Sequence, residues 1–111
     1  MSSNLRPVLL RTVVRAPLVG PGSVGLIDRL RVYRVVKNWN REIVLDGEKV
    51  TVGQAVESEL LARAAMLNVI TAEQMNNPEG IDWEKFADFL ERILPLILEF
   101  IKALISIFAL I

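Results

Sequence analysis

The last thirty-one residues, 81–111, decide what this chain can fold into, because they read as one long helix that is apolar around most of its circumference. Asp82 suits the N-cap, and Ile81 before it can staple onto Phe86 at the fourth helical position. Glu84 and Asp88 near that end complement the positive pole of the helix dipole. A helix over residues 82–110 extends about 43 Å at roughly 1.5 Å per residue. At about 100° per residue, Glu84, Asp88, Glu91, Arg92, Glu99, Lys102 and Ser106 fall within an arc of only about 100°. The rest of the circumference carries Phe86, Phe89, Leu90, Ile93, Leu94, Ile97, Phe100, Ile101, Leu104, Ile105 and Phe108, the predicted oligomer or membrane contacts. Such a helix needs cover on at least two sides, from neighbouring protein or from lipid. Pro95 lacks the amide that would bond the Glu91 carbonyl, so a kink is predicted there.

Lipid is a real competitor for that cover. Residues 93–111 number nineteen, close to the roughly twenty needed to span a bilayer. Glu99 and Lys102 each cost about 2.5–3.5 kcal/mol at the membrane centre, while each Leu, Ile or Phe returns about 0.3–0.6 kcal/mol. Insertion is therefore close to balanced, and the two charges, three residues apart, can pair and soften their cost. Burial in protein accommodates the same residues with less difficulty.

Composition narrows the chemistry. The 111 residues are 52% hydrophobic, with that hydrophobicity concentrated after Phe86, so residues 1–80 alone promise only a thin core. Partners or self-association are expected to supply part of the stability. Cysteine and histidine are both absent, which removes disulfides, thiolate metal sites, the commonest general base and the commonest transition-metal ligand. Glu84, Asp88 and Glu91 share one helical face, but a cation site needs ligands converging from several directions. The serines and threonines have no histidine to activate them. A non-enzyme with no cofactor and no metal is the expectation.

A net charge of zero conceals a strong asymmetry. Residues 1–41 carry eight arginines and lysines against Asp28 alone, a net +7, and residues 42–111 carry five basic and twelve acidic side chains, a net −7. Arg6, Arg11, Arg15, Arg29, Arg31 and Arg34 form the predicted basic contact, directed at nucleic acid, anionic lipid or an acidic protein surface. The alternative is that this segment folds back on the acidic half of its own or a neighbouring chain.

Along the chain, residues 1–29 are punctuated by Pro7, Pro17, Gly20, Pro21, Gly22 and Gly25 and predict an extended basic arm ordered by lying along a partner. No uninterrupted apolar run marks a secretory signal there. Residues 20–25 match the letters of a dinucleotide-binding loop, but the strand and crossover helix that such a loop requires are missing, so a turn cluster is expected. Residues 26–40 alternate partly, with Tyr33 and Trp39 among arginines, and predict a strand whose aromatics pack; stacking on nucleic-acid bases is the lesser reading.

The body spans residues 30–80. Asp46-Gly47 between two β-prone runs predicts a type I′ hairpin, resting on the next helix or pairing with residues 30–36. Thr51 with Gln54, and Thr71 with Gln74, are capping boxes that open a helix over residues 51–69 and a short one to about residue 75. Val52, Val56, Leu60, Ala64 and Leu67 recur at helical spacing, and Glu59 can pair with Arg63. The expected class is mainly α with a small β-hairpin, and residues 81–111 form the hydrophobic helix.

Taken together these features predict a non-catalytic structural subunit of a large assembly, with a minor virion protein of a phage capsid or tail as the specific form, in contact with copies of itself and other subunits. The alternative is a small membrane-associated protein that inserts its C-terminal helix; a nucleic-acid-binding module working through residues 6–41 is weaker. A virion or cytoplasmic assembly is the favoured location, with a membrane as the second.

Overall fold

The computed structural model describes residues 4–109, in chain order α1 (Leu5–Arg15), α2 (Leu26–Lys37), β1 (Glu42–Leu45), β2 (Glu48–Thr51), α3 (Val52–Met66), α4 (Ala72–Asn76), a 3-10 turn (Pro78–Gly80) and α5 (Trp83–Ala109). The protein is mainly α with a small β-hairpin, as expected. Residues 1–3 and 110–111 of the expectations above lie outside the described residues.

Helix α5 organises the rest. It runs unbroken through Pro95, which sits on its solvent side with Glu91, where water can reach the carbonyl that proline leaves unbonded. Asp82 Oδ1 accepts from the backbone amides of Glu84 and Lys85, so the predicted cap is realised. Trp83, Phe86 and Phe89 form a run of edge-to-face ring contacts, with centroids 5.0 and 5.2 Å apart, at its buried start. The predicted polar arc is the solvent face: Glu84, Asp88, Glu91, Arg92, Glu99 and Ser106 are exposed. Lys102 Nζ lies 3.2 Å from Glu99 Oε1. The opposite half-circumference packs against α1, α2, α3 and β1. No helix among the described residues is long and apolar enough to cross a membrane.

Two expectations for the N-terminal third are corrected. The extended arm is instead helix α1, with Leu5, Val8, Leu9 and Val13 buried against α5. Pro7 does not prevent it, because the third helical residue has no intrahelical partner for its amide. The breaker is Pro17, just past the end of the helix. Residues 26–37 are not a strand but helix α2, since Val32, Val35 and Val36 at helical spacing enter the core and no neighbouring strand competes for them. The hairpin accordingly pairs only within itself, Ile43 opposite Val50 and Leu45 opposite Glu48, and rests on α3 and α5. Asp46 and Gly47 have φ of 52° and 81°, the left-handed pair that a type I′ turn demands.

Helix α3 follows the hairpin without a spacer. Both capping boxes form, with Thr51 and Thr71 accepting from the amides of Gln54 and Gln74 and each glutamine returning a bond to the cap amide. Val52, Val56, Leu60 and Ala64 are fully buried. The helix stops earlier than predicted because Asn68 turns left-handed at φ 59°, letting the Val69 and Asn68 amides bond the carbonyls of Ala64 and Ala65. Leu67 therefore lies beyond the helix and faces solvent. The Cα extents of 37 × 34 × 21 Å make the thin dimension about two helix diameters, so the outer layer has solvent on its far side.

Candidate interaction surface

The most unusual surface is built by the junction of α1 and α2. Residues 16–25 turn sharply, with Gly20 and Gly22 at φ of 95° and 72°, and Val24 drives into the core as a fully buried plug. The Val24 amide bonds the Pro17 carbonyl at 2.8 Å. Arg29 of α2 then closes the junction: its Nε donates to the Val24 carbonyl at 3.0 Å, its Nη1 to the Val14 carbonyl at 2.6 Å, and its Nη2 to the Ala16 carbonyl. One guanidinium thus gathers carbonyls from the end of α1 and from the loop, a task that its planar fork of donors suits. The predicted turn cluster is present, and it is held by this arginine.

With the junction fixed, α2 has an inward and an outward side of different composition. Inward are Val32, Val35 and Val36. Outward, at 69, 67 and 66% exposure, are Leu26, Ile27 and Leu30, followed along the helix by exposed Tyr33, Arg34 and Lys37. Leu18 and Val19 of the preceding loop are exposed as well. The surface is apolar toward the N-terminal end of α2 and basic toward its C-terminal end. That basic end is anchored: Arg34 and Arg41 stand over the ring of fully buried Phe108, each 5.7 Å from its centroid. The Trp39 indole beyond lies across Gly53, whose amide bonds the Trp39 carbonyl at 2.8 Å.

A second feature lies at the hairpin. A groove of about 330 Å³ has Leu45, Val50, Ala55 and Phe100 in its lining and Asp46, Glu48 and Glu59 among its polar members. Glu59 Oε2 is 2.7 Å from Arg63 Nε, the predicted i,i+4 partner, in an ionic contact rather than a directed hydrogen bond. A smaller apolar hollow of about 150 Å³ is lined by Met66, Leu67, Ile93 and Leu96 with Arg63.

The residues singled out from sequence are redistributed. Of the apolar positions assigned to oligomer or membrane contact, Phe86, Phe89, Leu90, Ile93, Leu94, Ile97, Ile101, Leu104 and Phe108 are buried by the chain's own helices, and Phe100 and Ile105 are partly so. Within the chain, the cover that α5 needs comes from α1, α2 and α3. Among the arginines, Arg29 is the internal clasp, Arg31 pairs with Asp28 at 2.7 Å, and Arg11 crosses to Glu84 of α5 at 2.8 Å. Part of the basic segment has folded back on the acidic half. Arg6, Arg15 and Arg34 are exposed. Sequence reading missed Leu26, Ile27 and Leu30 as surface residues; the signal was a helix apolar at positions 26, 30 and 33 as well as at 32, 35 and 36.

Glu84, Asp88 and Glu91 point outward from one helix, and among the described residues no three acidic side chains stand close enough to hold a metal ion. Comparison of the chain with protein-family models, curated proteins and solved structures returns no match.

Proposed function

We propose that this chain is a non-catalytic structural subunit of a larger protein assembly, with a minor virion component as the concrete setting. What carries the reading is α2: it is apolar on two opposite sides, and only one of them is covered within the chain. A helix of that kind belongs between two layers of protein, and large exposed apolar clusters ordinarily mark interaction surfaces. Insertion of α5 in a bilayer has less support, because the apolar half of α5 is already enclosed. Nucleic-acid binding through residues 6–41 has less support too, because Arg11, Arg29 and Arg31 are committed to partners within the chain.

Gradient sedimentation of lysate from producing cells tests this. Wild-type chain is expected to migrate with a multi-chain particle, and the Leu26→Glu, Leu30→Glu double variant to migrate as a single chain with its helical circular dichroism intact. Wild-type chain that sediments alone, or a double variant still incorporated at wild-type level, overturns the reading.

A further inference from the structure

We propose that the apolar-basic face of α2 docks into the acidic groove at the hairpin of a second copy of this chain, so that copies join head to tail. The inference rests on the subunit reading above and names the partner. The choice of protein over lipid follows from the groove at the hairpin, which sets Leu45, Val50 and Phe100 beside Asp46 and Glu48 and so complements the outward face of α2 in both its apolar and its charged parts. The choice of a second copy follows from charge. Residues 1–41 carry a net +7 and residues 42–111 a net −7, and each half contributes one member of the pair.

On the donor side, Leu26 and Leu30 project next to Arg34 and Lys37. On the acceptor side, Leu45 and Val50 lie on the hairpin face that also bears Glu48, with Phe100 of α5 and, at the turn, Asp46. About 330 Å³ is room for a few aliphatic side chains, and a helix seated by Leu26 and Leu30 carries its basic end toward acidic Asp46 and Glu48. Opposite charges there set register and orientation, while the apolar contacts supply most of the affinity. Face and groove are different surfaces, so the contact is heterologous: each copy that uses one keeps the other open, and assembly proceeds to a ring or a filament.

Sedimentation velocity of the purified full-length chain, over a range of concentration and salt, tests the pairing. Two variants change the charges without touching the core: Lys37→Glu on the face, which leaves Arg34 over Phe108 in place, and Asp46→Asn with Glu48→Lys at the groove, where Asp46→Asn retains a turn-compatible Asn-Gly pair. Wild type is expected to self-associate, less so as salt rises; each variant alone weakens association ~10- to 100-fold, and an equal mixture of the two restores it. A chain that stays monomeric at every concentration overturns the pairing, and leaves the subunit reading intact if the same chain still enters particles in cells. Self-association indifferent to both charge sets overturns it in favour of two α2 faces packed across a two-fold axis. Flotation of monomeric chain with phosphatidylserine vesicles, lost in Leu30→Glu, overturns it in favour of lipid.

Discussion

Helices α1 and α2 are neighbours of nearly equal length, eleven and twelve residues, and both pack on α5, yet they spend their apolar residues differently. In α1 the large side chains Leu5 and Leu9 point inward and are fully buried, and the outward side holds Arg6, Pro7, Val14 and Arg15. In α2 only valines point inward, while Leu26, Ile27, Leu30 and Tyr33 point out. If stability of the single chain were the only constraint, the larger residues of α2 would gain more by facing the core. The contrast separates an element that serves the fold from one that also offers a surface.

Truncation of equivalent leucines is the strongest way to break that contrast. Leu9→Ala is expected to cost about 2–5 kcal/mol, as large-to-small changes in a packed interior do, whereas Leu30→Ala stays within about 0.5 kcal/mol, as at ordinary surface positions. Urea unfolding of both variants, followed by circular dichroism below any self-association, reads the difference. Equal losses would place Leu30 in the core and remove the basis for an outward docking face.

The junction between the two helices should be nearly as sensitive. Arg29→Met leaves three carbonyls without their donor and is expected to cost about 2–3 kcal/mol, in line with hydrogen bonds to a charged group. Arg29→Lys recovers only part, since an ammonium cannot reproduce the fork. A wild-type unfolding midpoint for Arg29→Met would show that α1 and α2 hold their angle without the clasp.

At the other end of α2, the contact between Trp39 and Gly53 ties the helix exit to α3. A Cβ added at Gly53 would overlap Trp39 Nε1, so Gly53→Ala must displace the indole and is expected to cost about 1–3 kcal/mol, as overpacking does. In a Trp83→Phe background, which leaves Trp39 as the single tryptophan, fluorescence reports the displacement: a shifted emission maximum is expected in the folded variant, and an unchanged spectrum with unchanged stability would mean that the ring is not held there.

What could be read in advance follows the range of each interaction. The polar strip of α5, the Asp46-Gly47 turn and the two capping boxes depend on residues a few positions apart, and each is realised. Helix α1 was hidden by giving Pro7 the weight of a breaker, although Leu5, Val8, Leu9, Thr12 and Val13 repeat at helical spacing and Thr12 tucks its hydroxyl onto the Val8 carbonyl at 2.8 Å. In α2 the apolar residues on both sides blur the helical period into something like alternation. The buried role of α5 is legible, but what covers it is not, because the stripe of α1 that supplies part of the cover is interrupted by arginines and Pro7 in the manner of an extended arm. Arg29 as a clasp was out of reach from sequence: its partners are carbonyls that converge only when the end of α1 and the loop are in place. Leu26 and Leu30 as a face are likewise visible only once Val32 and Val35 are known to point the other way.

The smallest expected effect concerns an ion pair that joins α1 to α5 across the sequence, Arg11 Nη2 to Glu84 Oε1 at 2.8 Å. With the Glu84 side chain 75% exposed, water screens the attraction, and holding two long side chains together costs rotamer freedom. A double-mutant cycle of Arg11→Met and Glu84→Gln should therefore give a coupling of only about 0.2–1 kcal/mol that fades as salt is raised. Arg29 and Arg11, two arginines of the same basic segment, one spread over three backbone carbonyls and one over a single solvated carboxylate, should differ severalfold in what they contribute. A coupling above about 2 kcal/mol that persists in high salt would mean that charge, and not the apolar stripe of Leu5, Val8, Leu9 and Val13, seats α1 on α5.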